Sequence, residues 1–346
     1  MAQSVGIIGA GIAGLSCGEA LLGEGYNVTI FEKSRGLSGR SSTRKVQEYR
    51  FDHGAQFFTA KSEEFRFWVE EGINQGLIAP WAPRLLKPSV QKPWFVGIPG
   101  MSSLGHLFAC KQSVRLNSLV EEIQFRNGGW EVQGMCQEVH FHEFFDHVVL
   151  AIPSNQVTDL LHKIDISQLL YPVALNACID AIDQIEMLPC WTVMLRIQNK
   201  FGKLWPYDAF QAAENEMGQY SIAWLANNSS KPQRSQNRQT QDWVIQASPM
   251  WSTRHLEKDP TEIVQALVPE MAKLVQTPLQ SFIEYAAAHR WRYARVLPIK
   301  QESRFRYSLE NKIGFCGDYF STSRIESSFL SGHELANQII KHGLVI

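Results

Sequence analysis

The N-terminal thirty-two residues constrain the fold more than any other stretch. Val5-Gly-Ile-Ile-Gly9-Ala-Gly11-Ile12-Ala13-Gly14 is an apolar run followed by a spaced glycine set, and Thr29-Ile-Phe-Glu32 is a second apolar run ending in an acid. The first run reads as a buried strand, and Ile12 to Leu22 has helical spacing. Gly9 permits a tight turn, Gly11 lets a pyrophosphate approach the backbone, and Gly14 lets helix and strand pack closely. Phosphates then meet the helix N-terminus, where free N–H groups and the dipole favour negative charge. Glu32 ends the second strand, placed for ribose hydroxyls. A Gly-rich turn alone is the bland reading, but strand, glycines, helix, strand and acid occur in order. The chain is expected to bind a dinucleotide.

The residues after Glu32 bear on which one. Glu32-Lys33-Ser-Arg35-Gly-Leu-Ser-Gly39-Arg40-Ser41-Ser-Thr43-Arg44 is a loop of small residues carrying three arginines. Arginine pairs with phosphate oxygens through a planar fork of donors. The loop resembles the GG-Arg motif of flavoproteins with two dinucleotide-binding motifs, the group of amine oxidases and phytoene desaturases, with Ser38 in place of the first glycine. At the other end, Ile313-Gly-Phe-Cys-Gly317-Asp318 reads as a buried strand ending in Gly-Asp, and Arg324-Ile-Glu326-Ser327-Ser328 opens a helix. The same resemblance implies that Asp318 meets ribityl or phosphate oxygens, and that the helix N-terminus faces the flavin, where it stabilises negative charge. FAD is the implied cofactor.

At 346 residues the chain exceeds the usual limit of one core, so two intertwined domains are expected. A formal net charge of −1 without a basic run argues against nucleic acid. No stretch reads as a signal peptide or a membrane span. Six cysteines without CxxC pairs read as reduced thiols of a cytoplasmic protein. His140-Phe-His142 with His147 reads as a strand surface rather than a metal site.

In the middle, Asn127-Gly128-Gly129 between apolar alternations signals a hairpin. Asp146 to Pro153 is a buried strand, with Ser154 as N-cap of the next helix. An antiparallel sheet is expected from about Met187 to Arg295, with strands at Trp191–Ile197, Tyr220–Ala226, Trp243–Ala247 and Phe282–His289. One helix from Thr253 to about Leu274 interrupts it, and Asn227 to Gln241 reads as a polar surface loop. The fold class is thus α/β, a Rossmann-like FAD-binding domain with an antiparallel-sheet substrate domain. The FAD-binding domain is assigned to residues 1–60, 100–155 and 296–346, and the substrate domain to 61–99 and 156–295.

Four segments then resemble the renalase family. They are Phe51-Asp52-His53-Gly54-Ala55-Gln56-Phe57-Phe58-Thr59-Ala60, Asn228-Ser-Ser-Lys231-Pro, Ala247-Ser248-Pro249-Met-Trp251-Ser252, and His289-Arg290-Trp291-Arg292-Tyr293-Ala294. The resemblance implies a p-hydroxybenzoate-hydroxylase-like fold with non-covalent FAD, and oxidation of 2- or 6-dihydro isomers of NAD(P)H, with dioxygen reoxidising the flavin. It adds Gly54, Ala55, Gln56 and Val120 to the cofactor contacts, with Glu326 and Ser327 at the C-terminal helix. Gln246 stands where the family commonly has histidine, and Gln233 where it has glycine. Hydride transfer from a dihydropyridine needs no general base, only a flat apolar slot. Phe58, Trp291, Gln246, Trp251 and Tyr293 are the candidates for that slot, Phe57 beside them. Arg292 reads equally as a phosphate ligand or a sheet brace, and His289 as structural. A flavin amine oxidase, an aromatic hydroxylase and a flavin-bound interaction module are the competing readings.

Overall fold

The computed structural model describes residues 2–86, 93–109, 111–169, 171–198, 205–212, 220–234, 239–297 and 303–343. Cys110 and residues 235–238 of the expected surface loop lie outside them. The strand Ser4–Ile8 is central in a six-stranded sheet. His147–Leu150 and Asn27–Phe31 flank it in parallel, Ser113–Arg115 and Ile313–Cys316 extend the parallel set, and Phe305–Ser308 closes one edge antiparallel. Val5, Ile7, Val149 and Ile313 are fully buried, as a sheet covered on both faces demands. Helices Ile12–Gly23 and Ile325–Gly343 pack together on one face. The other face is covered by a three-stranded meander, Ser118–Arg126, Gly129–Cys136 and Val139–Phe145. Its first turn holds Asn127 at φ +52° and Gly128 at φ +80°, the paired positive φ values of a two-residue hairpin.

The second body is a five-stranded antiparallel sheet. Its order is Ala209–Gln211, Ile222–Asn227, Thr240–Ala247, Met187–Gln198, Ile283–Val296. The last strand runs on past the expected His289 to Val296, so the His-Arg-Trp-Arg-Tyr-Ala segment is itself strand. Helix Pro260–Leu274 backs the sheet through Ile263, Leu267 and Met271, which share a core with Trp191, Val193 and Ile245.

Three local expectations change. The single helix from Thr253 is two, Pro249–Arg254 and Pro260–Leu274. Asp259 and Glu262 form a capping box, and Pro260 at the first helical position disfavours helix at Asp259, so the chain restarts there. Ser154 is the first helical residue rather than the N-cap, which Pro153 occupies. Within the described part of the polar stretch after Asn227, Asn228, Lys231 and Arg234 are buried rather than solvated.

Candidate active site and cofactor cleft

A cleft of about 2470 Å³ runs from the carboxyl end of the first strand to the five-stranded sheet. That exceeds the ~300–1,000 Å³ of a small-molecule pocket, leaving room for a dinucleotide and a second ligand. At its nucleotide end, Gly9 turns at φ +107°, where a side chain would strike the Ala151 carbonyl. Gly11 opens onto empty space, so nothing obstructs a phosphate at the helix N-terminus. Glu32 accepts from the Ala10 and Ser34 amides at 2.9 and 2.8 Å. These bonds fix the carboxylate at the cleft wall, with further lone pairs available to a ribose. Ile12, Ala13, Lys33, Arg35, Gly39, Ser41 and Val120 also line this end.

Ser38 adopts φ +80°, a conformation that favours glycine. Its hydroxyl donates to the Ser102 carbonyl and accepts from the Gly105 amide, both at 2.8 Å. Two buried hydrogen bonds offset a backbone strain of about 1–3 kcal/mol, which accounts for serine where the resembling motif has glycine. Next along, Arg40 grips Asp318 through both carboxylate oxygens, at 2.6 and 3.2 Å. This pair lines the cleft beside Gly54, Ala55 and Gln56. Gly54 lies so close to the Arg40 carbonyl that any Cβ would collide with it.

Three expected cofactor residues stand elsewhere. Gly14 does not line the cleft; a Cβ there would overlap the Gly9 carbonyl, so its role is helix–turn packing. Glu326 accepts from the Lys61 and Ser62 amides at 2.8 and 2.6 Å, tethering another helix start. Ser327 shares a hydrogen bond with Thr322. From this helix the cleft is met by Ile325 and Ser328.

The far end is a chamber floored by one register row. Gln211, Trp224, Gln246, Thr192 and His289 lie opposite one another across all five strands. Opposed residues on a pleated sheet share a face. Gln246 Nε2 donates to the Gly54 carbonyl at 2.6 Å. Phe57 stacks on Trp94 with ring centroids 3.9 Å apart and meets Trp224 at 5.2 Å, forming an aromatic wall. Trp291 donates its indole N–H to the His53 carbonyl at 2.8 Å, and its ring lies 4.5 Å from His289. Burial, reinforced by His289 and Arg44, pushes His53 down to about 3. Burial and then Arg44 push His289 down to about 4. Both rings are neutral near pH 7.

Of the expected slot residues, Phe58, Trp291, Gln246 and Tyr293 line the cleft and Trp251 does not. Trp251 stacks on His255, 3.9 Å away, on the short helix behind the sheet. The Phe58 ring packs against Phe65 and Phe95 in the core, and Phe57 takes the chamber side. Arg292 lines the cleft while bound to exposed Glu257 with Arg290, and Arg44, Lys45 and Arg295 line it as well. The carboxylates of the cleft are Glu32, Glu121 and Asp159 at the nucleotide end, and Asp318, already paired. Among the described residues no group of three His, Cys, Asp or Glu gathers as a metal site, and no helix is long and apolar enough to cross a membrane.

Sequence reasoning missed a buried ion cluster behind the wall. Asp52 accepts from Lys231 at 2.9 Å and Arg234 at 2.7 Å, all three essentially without solvent contact. Its other oxygen accepts from Thr43 and the Met101 amide. Lys231 reaches Gln56 Oε1 at 3.3 Å, connecting the cluster to a cleft residue. Burial opposes ionisation of Asp52, but the two cations outweigh it and hold the carboxyl below its usual range. Lys231 is pushed down to about 8, because burial and the neighbouring Arg234 exceed the attraction of Asp52.

Residues 7–71 match the family model of an NAD(P)-binding Rossmann-like domain, and residues 59–340 that of a flavin containing amine oxidoreductase. A 4,4'-diapophytoene desaturase of Staphylococcus aureus is 38% identical over 78 residues, covering 20% of this chain and only 16% of the desaturase. Among solved structures, a putative protoporphyrinogen oxidase from Exiguobacterium sp. superposes with TM-score 0.73 at 12% identity, covering 99% of each chain. Cyclohexylamine oxidase from Brevibacterium oxydans gives 0.71 at 14% identity, covering 99% of this chain and 100% of that one. At such identities the superpositions show the fold: mixed α/β, with a Rossmann-like domain and antiparallel sheets. The family model covers most of the chain and the cleft accommodates its cofactor, so the protein belongs to the flavin-containing amine oxidoreductases, with FAD as its cofactor.

Proposed function

We propose that the protein is an FAD-dependent oxidase of 2- or 6-dihydro isomers of NAD(P)H, releasing NAD(P)+ and reducing dioxygen to hydrogen peroxide. The observation that carries this reading is the charge of the chamber. Arg44, Lys45 and Arg295 line the cleft, while no carboxylate of the cleft lies on the strands that form the chamber. A phosphate-bearing donor is attracted to such a cleft; a protonated amine is repelled. Bound FAD supplies the hydride acceptor and passes the electron pair to dioxygen. The chain's part is to position the donor ring and exclude water. Trp291, Phe57 and Trp94 give flat walls, Gln246 and Gly54 brace one another, and the neutral His53 and His289 leave the slot without a charged base. None is needed, because losing hydride makes the donor ring aromatic. Holding donor and acceptor in register is worth up to several powers of ten in rate.

The flavin is held non-covalently in this reading. Cys190 lines the cleft, but burial pushes its thiol up to about 11, and it is engaged with the Trp191 and Ala247 carbonyls. It remains a thiol and not a nucleophile. Among the described residues, Cys17, Cys136, Cys178, Cys190 and Cys316 are free and all but Cys136 are buried, which also supports a cytoplasmic location. A second reading, oxidation of a small apolar amine, is favoured by the Phe57–Trp94–Trp224 wall, which suits an alkyl chain. Anaerobic titration of the holoprotein separates the two: the dihydronicotinamide isomers should bleach the flavin stoichiometrically, and Trp291→Ala should slow bleaching while retaining FAD. Bleaching by cyclic or polymethylene amines, with none by the isomers, would establish the second reading instead.

A further inference from the structure

We propose that Gln246 and His289 form a reader for a primary carboxamide at the floor of the chamber, Gln246 Oε1 accepting from the amide nitrogen and His289 Nε2 donating to the amide oxygen. The assignment turns on which atoms are already engaged. Arg44 sits 3.2 Å from His289 Nδ1. A guanidinium only donates, so Nδ1 must accept and the ring proton must sit on Nε2. The pair therefore fixes the tautomer, and burial beside Arg44 keeps the ring neutral. Gln246 is oriented in the same way. Its partner, the Gly54 carbonyl at 2.6 Å, only accepts, so the amide nitrogen points there and Oε1 is left over.

The two leftover atoms belong to residues of one register row, separated only by Thr192, and both side chains line the cleft. Trp291 connects them: its ring lies 4.5 Å from His289 and beside Gly54, the residue that Gln246 grips. An acceptor and a donor that face one cleft from two strands apart select a ligand that reaches both with the opposite pair. A primary carboxamide on a flat ring presents a donor and an acceptor in one plane. An ammonium has donors only, and would face the His289 N–H and the Arg44 charge. A ketone has an acceptor only, and would leave Gln246 Oε1 without a partner. Such mismatch is what gives polar sites their selectivity.

This inference rests on the dihydronicotinamide reading for its biological ligand, but small ring probes test it separately. Benzamide, acetophenone and benzylamine are titrated into the FAD-loaded protein, following the visible flavin spectrum. Benzamide should bind about tenfold more tightly than acetophenone, the yield of one good uncharged hydrogen bond, and benzylamine more weakly still. His289→Phe, which keeps a ring against Trp291, and Gln246→Met should each erase the advantage of benzamide. If one variant fails to hold FAD, the other and the unmodified protein still decide the matter. Equal affinity for benzamide and acetophenone, no binding of benzamide, or a preference that survives both substitutions would overturn the assignment. Benzamide selectivity without flavin reduction by the dihydro isomers would leave the reader standing and overturn the substrate reading.

Discussion

Removing the acid of the buried cluster should be far more damaging than removing one of its cations. In Asp52→Asn the Lys231 ammonium and Arg234 guanidinium remain buried with no counter-charge. Breaking a buried pair from one side costs about 3–5 kcal/mol, and here two cations are stranded. In Lys231→Met one carboxylate faces one guanidinium, and the lost Nζ contacts are replaced by apolar volume. That change should cost about 1 kcal/mol or less. The pH dependence carries a second signature. Lys231 is pushed down to about 8 in the folded chain, against an ordinary value of 10.5. Between these pH values the unfolded chain binds the proton that the folded one has released, so stability rises with pH there, by up to about 1.4 kcal/mol per unit. Urea unfolding of the FAD-saturated protein at a series of alkaline pH values, monitored by tryptophan emission, reads both effects. The Lys231→Met variant should lack the alkaline rise seen in the parent. If Lys231→Met is as destabilising as Asp52→Asn, or keeps the alkaline rise, the charge count is wrong.

Further expectations concern the cofactor and acid stability. Glu32→Ala should weaken FAD retention, measured by dialysis, because charge-assisted hydrogen bonds contribute about 1.5–3 kcal/mol each; unchanged retention would remove Glu32 from the ribose. Acid precipitation should release all the flavin into the supernatant, and flavin held in the pellet would refute the non-covalent site. His53 and His147 are buried and pushed down to about 3 and about 4. Below about pH 6.5 the unfolded chain takes up protons that these rings refuse, so stability should fall as pH drops from there toward about 4. His53→Phe should flatten that slope in thermal melts, and an unaltered slope would place the acid sensitivity elsewhere.

The dinucleotide half was legible in the sequence because its signals are local: Gly9, Gly11, Glu32, Arg40 and the Gly-Asp of Asp318 lie where their order implies. The chamber was less so, because register decides it. Phe57 and Phe58 are equivalent as letters, and the bridge from Phe58 to Phe95 decides which ring enters the core. Trp251 lies in an uncommon string but on a helix behind the sheet, and Glu326 sits in the flavin-facing motif yet tethers a different helix. The Asp52 cluster was invisible because it joins residues some 180 positions apart. A polar run such as Asn227 to Gln241 reads as solvated until its partner is known. Gln246 was noticed as a departure from a family histidine, and only the sheet register shows that it stands two strands from His289.

The most direct test of the central claim is a stopped-flow comparison of anaerobic flavin reduction by matched concentrations of 6-dihydro-NAD(P), ordinary 4-dihydro-NAD(P)H and a cyclic primary amine. The 6-dihydro isomer should bleach the flavin rapidly, and the 4-isomer about a hundredfold more slowly, because its donor carbon is displaced in the slot. The amine should give essentially no reaction, and reoxidation by air should yield one hydrogen peroxide per flavin. Fast reduction by the amine, or equal rates for the two dihydro isomers, would contradict the assignment.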